Sequence, residues 1–305
     1  MKVIKLKKAK KKSGALRYGI GEWFGGVLSE MPRNRILKFA ESSQLSKPDR
    51  PCPARSHGGV SVHCNKRGGV CTVRLYKKHN GYSIPADGRL VTLCPQRFWE
   101  DNLVFKEIGR SLLGQEESVL VKEVGFLLGE RNDDVGRIDS VLVIPGSVPL
   151  RWCAVEIQAV YFSGRKMELE FESLRRKKRT NKIPFPIAQR RPDFRSSGPK
   201  RLMPQLQIKV PTLRRWGKKM AVVVDASFFD SMGKMESSKD VSNADILWFI
   251  MDYRFQDNIA RLFLSDVFCT TLEMAITGLT AGSPVTLPQF EEDIKKRIPM
   301  GISVA

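Results

Sequence analysis

The stretch "RWCAVEIQAVYF", Arg151 to Phe162, is an apolar run typical of a buried β-strand, but Glu156 and Gln158 interrupt it. Residues two apart on a strand point to the same face, so a carboxylate and an amide stand where apolar side chains are the rule. A buried carboxylate is costly unless it is paired or binds a metal ion. We therefore expect Glu156 to have a partner elsewhere in the fold.

A second carboxylate, Asp139, interrupts the preceding strand-like run "GRIDSVLV". Two carboxylates on neighbouring short strands can converge on one divalent cation, and Mg²⁺ is bound in this way, with water and substrate phosphate completing its coordination. A metal ion so placed can activate water and stabilise charge on a phosphate that is being cut. Asp139 and Glu156 are therefore predicted Mg²⁺ ligands. The alternative is a buried ion pair with some of the many arginines.

The runs around these strands predict an α/β core. "PQRFWEDNLVFKEIGRSLLG" has helical spacing, three strand-like runs follow it, and "MAVVVDASFF" is typical of a buried strand. The range Asn258–Leu279 also has helical spacing, and "TLPQFEEDIKKRI" is typical of a capped helix with acids first and lysines last. "LMPQLQIKVPTLRRWG", in contrast, is poorly periodic and interrupted by prolines.

The net charge of +20 is concentrated in two regions. Residues 1–20 hold eight Lys/Arg and no acid, and residues 160–220 hold eighteen Lys/Arg against four acids. This distribution predicts a polyanionic partner, and nucleic acid is favoured over membrane because no amphipathic apolar face accompanies the basic runs. A solvated tail is the alternative for the first region. Since neither a membrane span nor a signal peptide is visible, we expect a soluble, cytoplasmic protein.

Four of the six cysteines fall within 43 residues: Cys52, Cys64, Cys71 and Cys94. In a cytoplasmic protein such a cluster predicts metal binding rather than disulfides, and four thiolates suit tetrahedral Zn²⁺ or Fe. Their spacing matches no common finger motif, but the segment is rich in turns and poor in core residues, so it needs such a link. His57 and His63 could each replace one cysteine, and four unrelated thiols are the alternative.

The pattern of Asp, a strand connection and Glu-x-Lys is the signature of the PD-(D/E)xK nuclease superfamily. This sequence has Asp139, Glu156 and, in place of the lysine, Gln158, whose amide can only form hydrogen bonds. With "CPARS", "GVCTV", "CPQR" and "VEIQ" followed by "FSG", residues 50–165 resemble the NotI family of type II restriction endonucleases, in particular its shorter, EagI-like members.

The resemblance implies a PD-(D/E)xK core, a central mixed sheet flanked by helices, with an N-terminal Cys₄ unit that holds structural Fe or Zn. It implies Mg²⁺-dependent cleavage of double-stranded DNA by a homodimer in the bacterial cytoplasm, at a GC-rich palindrome centred on GGCC, such as CGGCCG. The products would carry 5′ phosphates. We accordingly divide the chain into a basic arm with a short helix (1–50), a Cys₄ unit (51–96) and a catalytic core (97–305) with a basic DNA-binding insertion (165–218).

Carried over to this sequence, the family's active site assigns Mg²⁺ binding to Asp139, Glu156 and the carbonyl of Ile157, while Gln158 positions the attacking water. Glu107, on the predicted helix before the strands, is a candidate for an additional acid, and Glu123 is its rival. Asp133 and Asp134 are interpreted as turn residues.

Bases would be read from the insertion, since arginine is the best reader of guanine in the major groove. The candidates are Arg179, Gln189, Arg190, Arg191 and Arg195. A palindromic site implies a two-fold dimer, for which the range Asn258–Leu279 is the candidate interface. Two alternative functions stay open at this point: a structure-selective repair or recombination nuclease, and a metal-stabilised DNA-binding regulator without catalytic activity.

Overall fold

The computed structural model describes residues 15–42, 50–56, 60–131, 133–164, 166–176, 182–238, 240–280, 282 and 285–300. The strands are β1 (Leu16–Trp23), β2 (Gly26–Val27), β3 (Val70–His79), β4 (Tyr82–Pro85), β5 (Val91–Thr92), β6 (Val119–Leu128), β7 (Asp134–Ile144), β8 (Arg151–Ile157), β9 (Tyr161–Ser163), β10 (Arg191–Asp193), β11 (Met220–Asp225), β12 (Ile246–Gln256) and β13 (Ile259–Thr270). The helices are α1 (Arg33–Ser42), α2 (Leu103–Ile108), α3 (Glu168–Arg176), α4 (Phe194–Ser197), α5 (Met203–Arg215), α6 (Ala226–Asp230), α7 (Leu272–Thr280) and α8 (Leu287–Arg297).

A six-stranded mixed sheet forms the centre of the larger unit, in the order β13-β12-β11-β8-β7-β6. β8, β11 and β12 run parallel, and the outer strands are antiparallel to their neighbours. All six residues of β11 are buried, as expected for a strand covered on both faces. This architecture confirms the predicted α/β class with a central mixed sheet flanked by helices.

The two faces of this sheet are covered by different helices. Ala154 of β8 packs in one apolar cluster with Leu206 and Val210 of α5. Cys153, the preceding residue of β8, packs in the other cluster with Ile108 of α2. Since side chains alternate along a strand, α5 lies on the face to which Glu156 points, and α2 lies on the opposite face.

A second sheet, containing β1 to β5, precedes the central one and packs against it through the first cluster. Its strand β1 pairs with β3 from Leu16 opposite Lys77 to Trp23 opposite Val70. Strands β1 and β2 thus belong to the same sheet as the cysteine-bearing strand β3, across the boundary predicted at residue 50. Residues 1–14, the most basic part of the predicted arm, lie outside the described residues.

One predicted helix is a strand for most of its length. Asn258–Leu279 is not one helix but strand β13 followed by α7. Asp257 and Asn258, with φ of 48° and 62°, make a two-residue turn between β12 and β13, and positive φ at both positions is the hairpin geometry that Asp and Asn tolerate. The stretch with poor periodicity, in contrast, contains helix α5, which accommodates Pro211 in its interior. Within the described residues, no helix is long and apolar enough to cross a membrane.

Candidate active site

Asp139 and Glu156 lie side by side on antiparallel strands. Ser140 of β7 pairs with Val155 of β8. Because the strands are antiparallel, Asp139, which precedes Ser140, lies next to Glu156, which follows Val155. Glu156 is buried, whereas Asp139 exposes 62% of its side chain. One carboxylate is thus anchored inside the fold and the other faces solvent, where a ligand can reach it.

A lysine that the sequence analysis did not identify completes this cluster. Lys209 of α5 donates hydrogen bonds to Glu156 Oε2 at 2.8 Å and to Asp139 Oδ2 at 3.2 Å. Its side chain is only 2% exposed. The available signal was its position on α5: Leu206, Lys209, Val210 and Leu213 form the buried stripe of this helix at helical spacing. Lys209 was not predicted as a site residue because the prolines in this stretch obscure its helical periodicity.

The environment of Glu156 favours its neutral form. The pKa of Glu156 is raised to about 7: burial raises it most, the Lys209 ammonium lowers it, and the adjacent Asp139 carboxylate raises it. Two carboxylates and one ammonium leave the cluster with an excess of negative charge when both acids are ionised. The cluster is therefore suited to receive a cation from solvent.

Gln158 lies next to the acidic cluster, directly after the end of β8. Its backbone N–H donates to Val223 O at 2.9 Å, and its side-chain amide donates to Ala159 O at 2.5 Å. With Ile157 it lines a cleft of about 520 Å³. The cleft is also lined by four basic residues from three parts of the chain, namely Lys66, Arg67, Lys166 and Arg201. This lining suits a phosphate backbone.

Neither candidate for an additional acid joins the pair. Glu107 is on α2, against the other face of the sheet, and its carboxylate pairs with Arg110 at 2.5 Å. Glu123 lies on the edge strand β6 with φ of 54°, and pairs loosely with Arg137 at 3.7 Å. The largest electrostatic and hydrogen-bond effects on the pKa of Glu156 come from Lys209 and Asp139.

Arg190, a predicted reader of bases, is buried, whereas base contacts require an exposed side chain. Its guanidinium is buried, forms an ion pair with the Glu170 carboxylate and packs over the ring of Phe162. Glu170 also accepts hydrogen bonds from the backbone N–H groups of Ile187 and Ala188. A guanidinium held in this way joins α3 to the segment before β10, and it has no free face to offer DNA.

The other candidates are placed differently. Arg191 on β10 is exposed, as is Gln189 two residues earlier, and β10 pairs with β9, which follows the active-site strand closely. Arg195 on the short helix α4 is also exposed. Arg179 lies outside the described residues. Of the predicted insertion, helix α5 packs one face against the central sheet, while Arg214 and Arg215 at its end are exposed.

The four predicted metal-binding cysteines are buried free thiols of the N-terminal unit. Backbone hydrogen bonds hold them in two pairs: Cys52 N–H donates to Val62 O at 2.6 Å beside Cys64, and Cys94 N–H donates to Cys71 O at 3.1 Å. The two pairs also interact electrostatically. Burial raises the pKa of Cys94 most, and both Cys52 and Cys64 raise it as well. His57 lies outside the described residues.

The described residues contain no group of three or more His, Cys, Asp or Glu side chains arranged closely enough to hold a metal ion. At the active site, only two of the three predicted Mg²⁺ ligands are carboxylates, and an ion would take its remaining ligands from water and phosphate. In the N-terminal unit, the thiols are chemically suited to Zn²⁺ or Fe, but their side chains would have to converge further.

A carboxylate pair next to a basic cleft, on a mixed sheet flanked by helices, is chemically suited to a nuclease. The family model described as restriction endonuclease NotI matches residues 34–264, well over half of the chain. The chain therefore belongs to the NotI family of restriction endonucleases, which makes it a type II site-specific deoxyribonuclease that binds DNA. No curated protein matches the chain.

Proposed function

We propose that this chain is a Mg²⁺-dependent PD-(D/E)xK endonuclease, an EagI-like member of its family, that cuts both strands of a GGCC-centred palindrome such as CGGCCG. The observation that carries the proposal is the juxtaposition of Asp139 and Glu156 beside a cleft lined by Lys66, Arg67, Lys166 and Arg201. Acids beside a phosphate-binding surface repel DNA unless a cation lies between them. A protein that only bound DNA would have no use for this pair.

In this proposal Asp139, Glu156 and the carbonyl of Ile157 would hold the Mg²⁺. When bound, the ion would lower the pKa of a water molecule and neutralise charge on the phosphate. Gln158 orients this water by hydrogen bonding, since its amide cannot take up a proton. The water oxygen would form the new bond to phosphorus as the bond to the 3′ oxygen breaks. The water would lose its proton to bulk solvent and the 3′ oxygen would gain one from solvent, which leaves a 5′ phosphate and a 3′ hydroxyl.

The DNA would be held and read on the same side of the molecule. Lys66 and Arg201 reach the cleft from different elements and are suited to neutralise phosphates on either side of the cut. Arg191, Gln189 and Arg195 are exposed close to the active-site strand and are our candidates for base contacts, together with Arg179. A palindromic site requires two copies of the chain related by a two-fold axis, so we propose a homodimer acting in the bacterial cytoplasm.

For the N-terminal unit we propose a structural Fe or Zn ion bound by Cys52, Cys64, Cys71 and Cys94. The support is the burial of all four thiols and the electrostatic effect of Cys52 and Cys64 on Cys94. Metal binding would deprotonate the thiols and add stability to the unit.

The test is digestion of a plasmid library by the purified protein, with Mg²⁺ or with EDTA, followed by sequencing of the DNA ends. We expect discrete palindromic ends with 5′ phosphates in Mg²⁺ and intact DNA in EDTA. Ends at branches or flaps without a common sequence would favour the alternative of a repair or recombination nuclease. Intact DNA under both conditions would contradict the proposal and would favour the alternative of a DNA-binding regulator without catalytic activity.

A further inference from the structure

We propose that Lys209 supplies, from helix α5, the positive charge that Gln158 cannot supply from the active-site strand. The inference rests on the proposed function, because it concerns the same phosphodiester cleavage. It adds a positioning residue that lies 51 positions beyond Gln158 in the sequence. Its Nζ contacts both carboxylates that would hold the metal ion, at 2.8 Å and 3.2 Å.

The direction of approach supports this role. A lysine at position 158 would follow Glu156 on the same face of the strand. Helix α5 covers that same face, since Ala154 of β8 packs in one cluster with Leu206 and Val210. The ammonium of Lys209 therefore reaches the carboxylates from the face of β8 on which a lysine at position 158 would lie.

Stability alone does not explain a lysine at this position. The other buried residues of α5 are Leu206, Val210, Thr212 and Leu213, so a charged side chain is exceptional there. Replacing buried ion pairs by well-packed apolar residues is often neutral or stabilising. Moreover, Lys209 also contacts Asp139, which is 62% exposed and needs no internal partner. The contact with both acids indicates a role at the site.

The charges of the reacting complex lead to the same conclusion. The two carboxylates and one phosphodiester carry one more negative charge than a divalent cation can balance, and the ammonium of Lys209 makes the assembly neutral. An amide at position 158 adds no charge, and the amide of Gln158 already donates to Ala159 O. Lys209 thus holds the carboxylates in place and offsets charge that develops on the phosphate.

The experiment compares Lys209→Met, Gln158→Lys and the double variant with the wild type. Cleavage rates are measured at saturating DNA with Mg²⁺, DNA affinity is measured with Ca²⁺, and melting temperature serves as the control for folding. Arg215→Met is the matched control, because Arg215 is an exposed cation on the same helix. We expect Lys209→Met to lose about 10²-fold in cleavage rate with unchanged DNA affinity. The double variant should regain at least about tenfold of this loss, because it returns a lysine to the site.

Rescue by Gln158→Lys distinguishes a role at the site from a structural one, since a lysine at 158 does not repair the packing of α5. Lys209→Met that cuts at the wild-type rate would overturn the inference alone. So would a double variant no more active than Lys209→Met, or a loss explained by a lower melting temperature. A wild type that cuts no DNA would overturn the proposed function and this inference with it.

Discussion

Arg97 and Glu22 form a fully buried ion pair between the two sheets, with Nε of Arg97 3.0 Å from Oε2 of Glu22. Glu22 is on β1, and Arg97 is the last residue of the "CPQR" motif that begins at Cys94. The guanidinium also donates to Ala260 O on β13 at 2.7 Å and pairs with Glu100 at 2.7 Å. One arginine thus links the cysteine-bearing unit to the edge of the catalytic sheet.

Arg97→Met should destabilise the protein by about 3–5 kcal/mol, because the buried carboxylate of Glu22 would lose its partner. The measurement is urea unfolding at neutral pH. Arg176→Met is the matched control: Arg176 pairs with Glu172 on the surface of α3, and such pairs contribute about 0.5 kcal/mol or less. Equal losses in the two variants would contradict a linking role for Arg97.

Replacing the neighbouring residues Arg190 and Arg191 should affect different properties of the protein. Arg190→Met should lower the melting temperature, since the buried Glu170 carboxylate would be left without its partner. Arg191→Met should leave the melting temperature unchanged and weaken DNA binding, since this side chain is exposed beside the active-site strand. Thermal melts and binding titrations of both variants test this. Weaker DNA binding by a stable Arg190→Met would restore Arg190 as a DNA contact.

The stability of the fold should depend on pH through Asp225. Burial raises the pKa of Asp225 from 3.8 to about 6, although its carboxylate accepts hydrogen bonds from the N–H groups of Thr92 and Phe228. Between these two pH values the folded chain binds a proton that the unfolded chain has released, so stability falls as pH rises through this window.

Asp225→Asn removes this titration. Its single oxygen can accept only one of the two hydrogen bonds, since Thr92 N–H donates to Oδ2 and Phe228 N–H to Oδ1, so the variant carries a loss of stability that does not change with pH. Between pH 4 and pH 7, the free energy of unfolding of the variant should therefore rise relative to that of the wild type, by up to about 3 kcal/mol. Urea unfolding of both proteins across this range gives the difference. Two stability curves that stay parallel would show that Asp225 keeps its ordinary pKa in the fold.

Cys71→Ser should remove the metal proposed for the N-terminal unit and destabilise that unit by several kcal/mol. Elemental analysis for Fe and Zn, per mole of purified protein, is the measurement. Cys153→Ser is the control, because Cys153 is a buried thiol of the catalytic sheet, remote in sequence from the four. A wild type without Fe or Zn, or equal metal content in the two variants, would contradict the four-thiolate site.

The sequence predicted the strands that carry Asp139 and Glu156 because carboxylates in short apolar runs are conspicuous. The chemistry of the pair followed from its register, which antiparallel neighbours make easy to anticipate. Lys209 was not predictable in the same way: a lysine is ordinary on a helix, and its burial depends on how α5 packs across the sheet. Arg190 and Arg191 show the same limit, since adjacent arginines differ only in which one meets Glu170.

Strand β13 shows why element type can also be missed. Its apolar residues recur at intervals compatible with a helix, and only pairing with β12 through the Asp257–Asn258 turn makes it a strand. In the N-terminal unit, β1 is joined to β3 by pairing between residues that lie 47 to 61 positions apart, from Trp23 with Val70 to Leu16 with Lys77. Such long-range pairing leaves no local signal in the chain. For this reason one continuous sheet was predicted as two units, a basic arm and a Cys₄ unit.

The most direct test of the account is cleavage of a plasmid carrying one CGGCCG site by the wild type and by Glu156→Gln, with Mg²⁺. We predict that the wild type linearises the plasmid at this site and leaves 5′ phosphates. Glu156→Gln should bind the same DNA but cut at least about 10²-fold more slowly, because the amide cannot provide the charge that holds the metal ion. Cleavage by Glu156→Gln at the wild-type rate would contradict an active site built on Asp139 and Glu156.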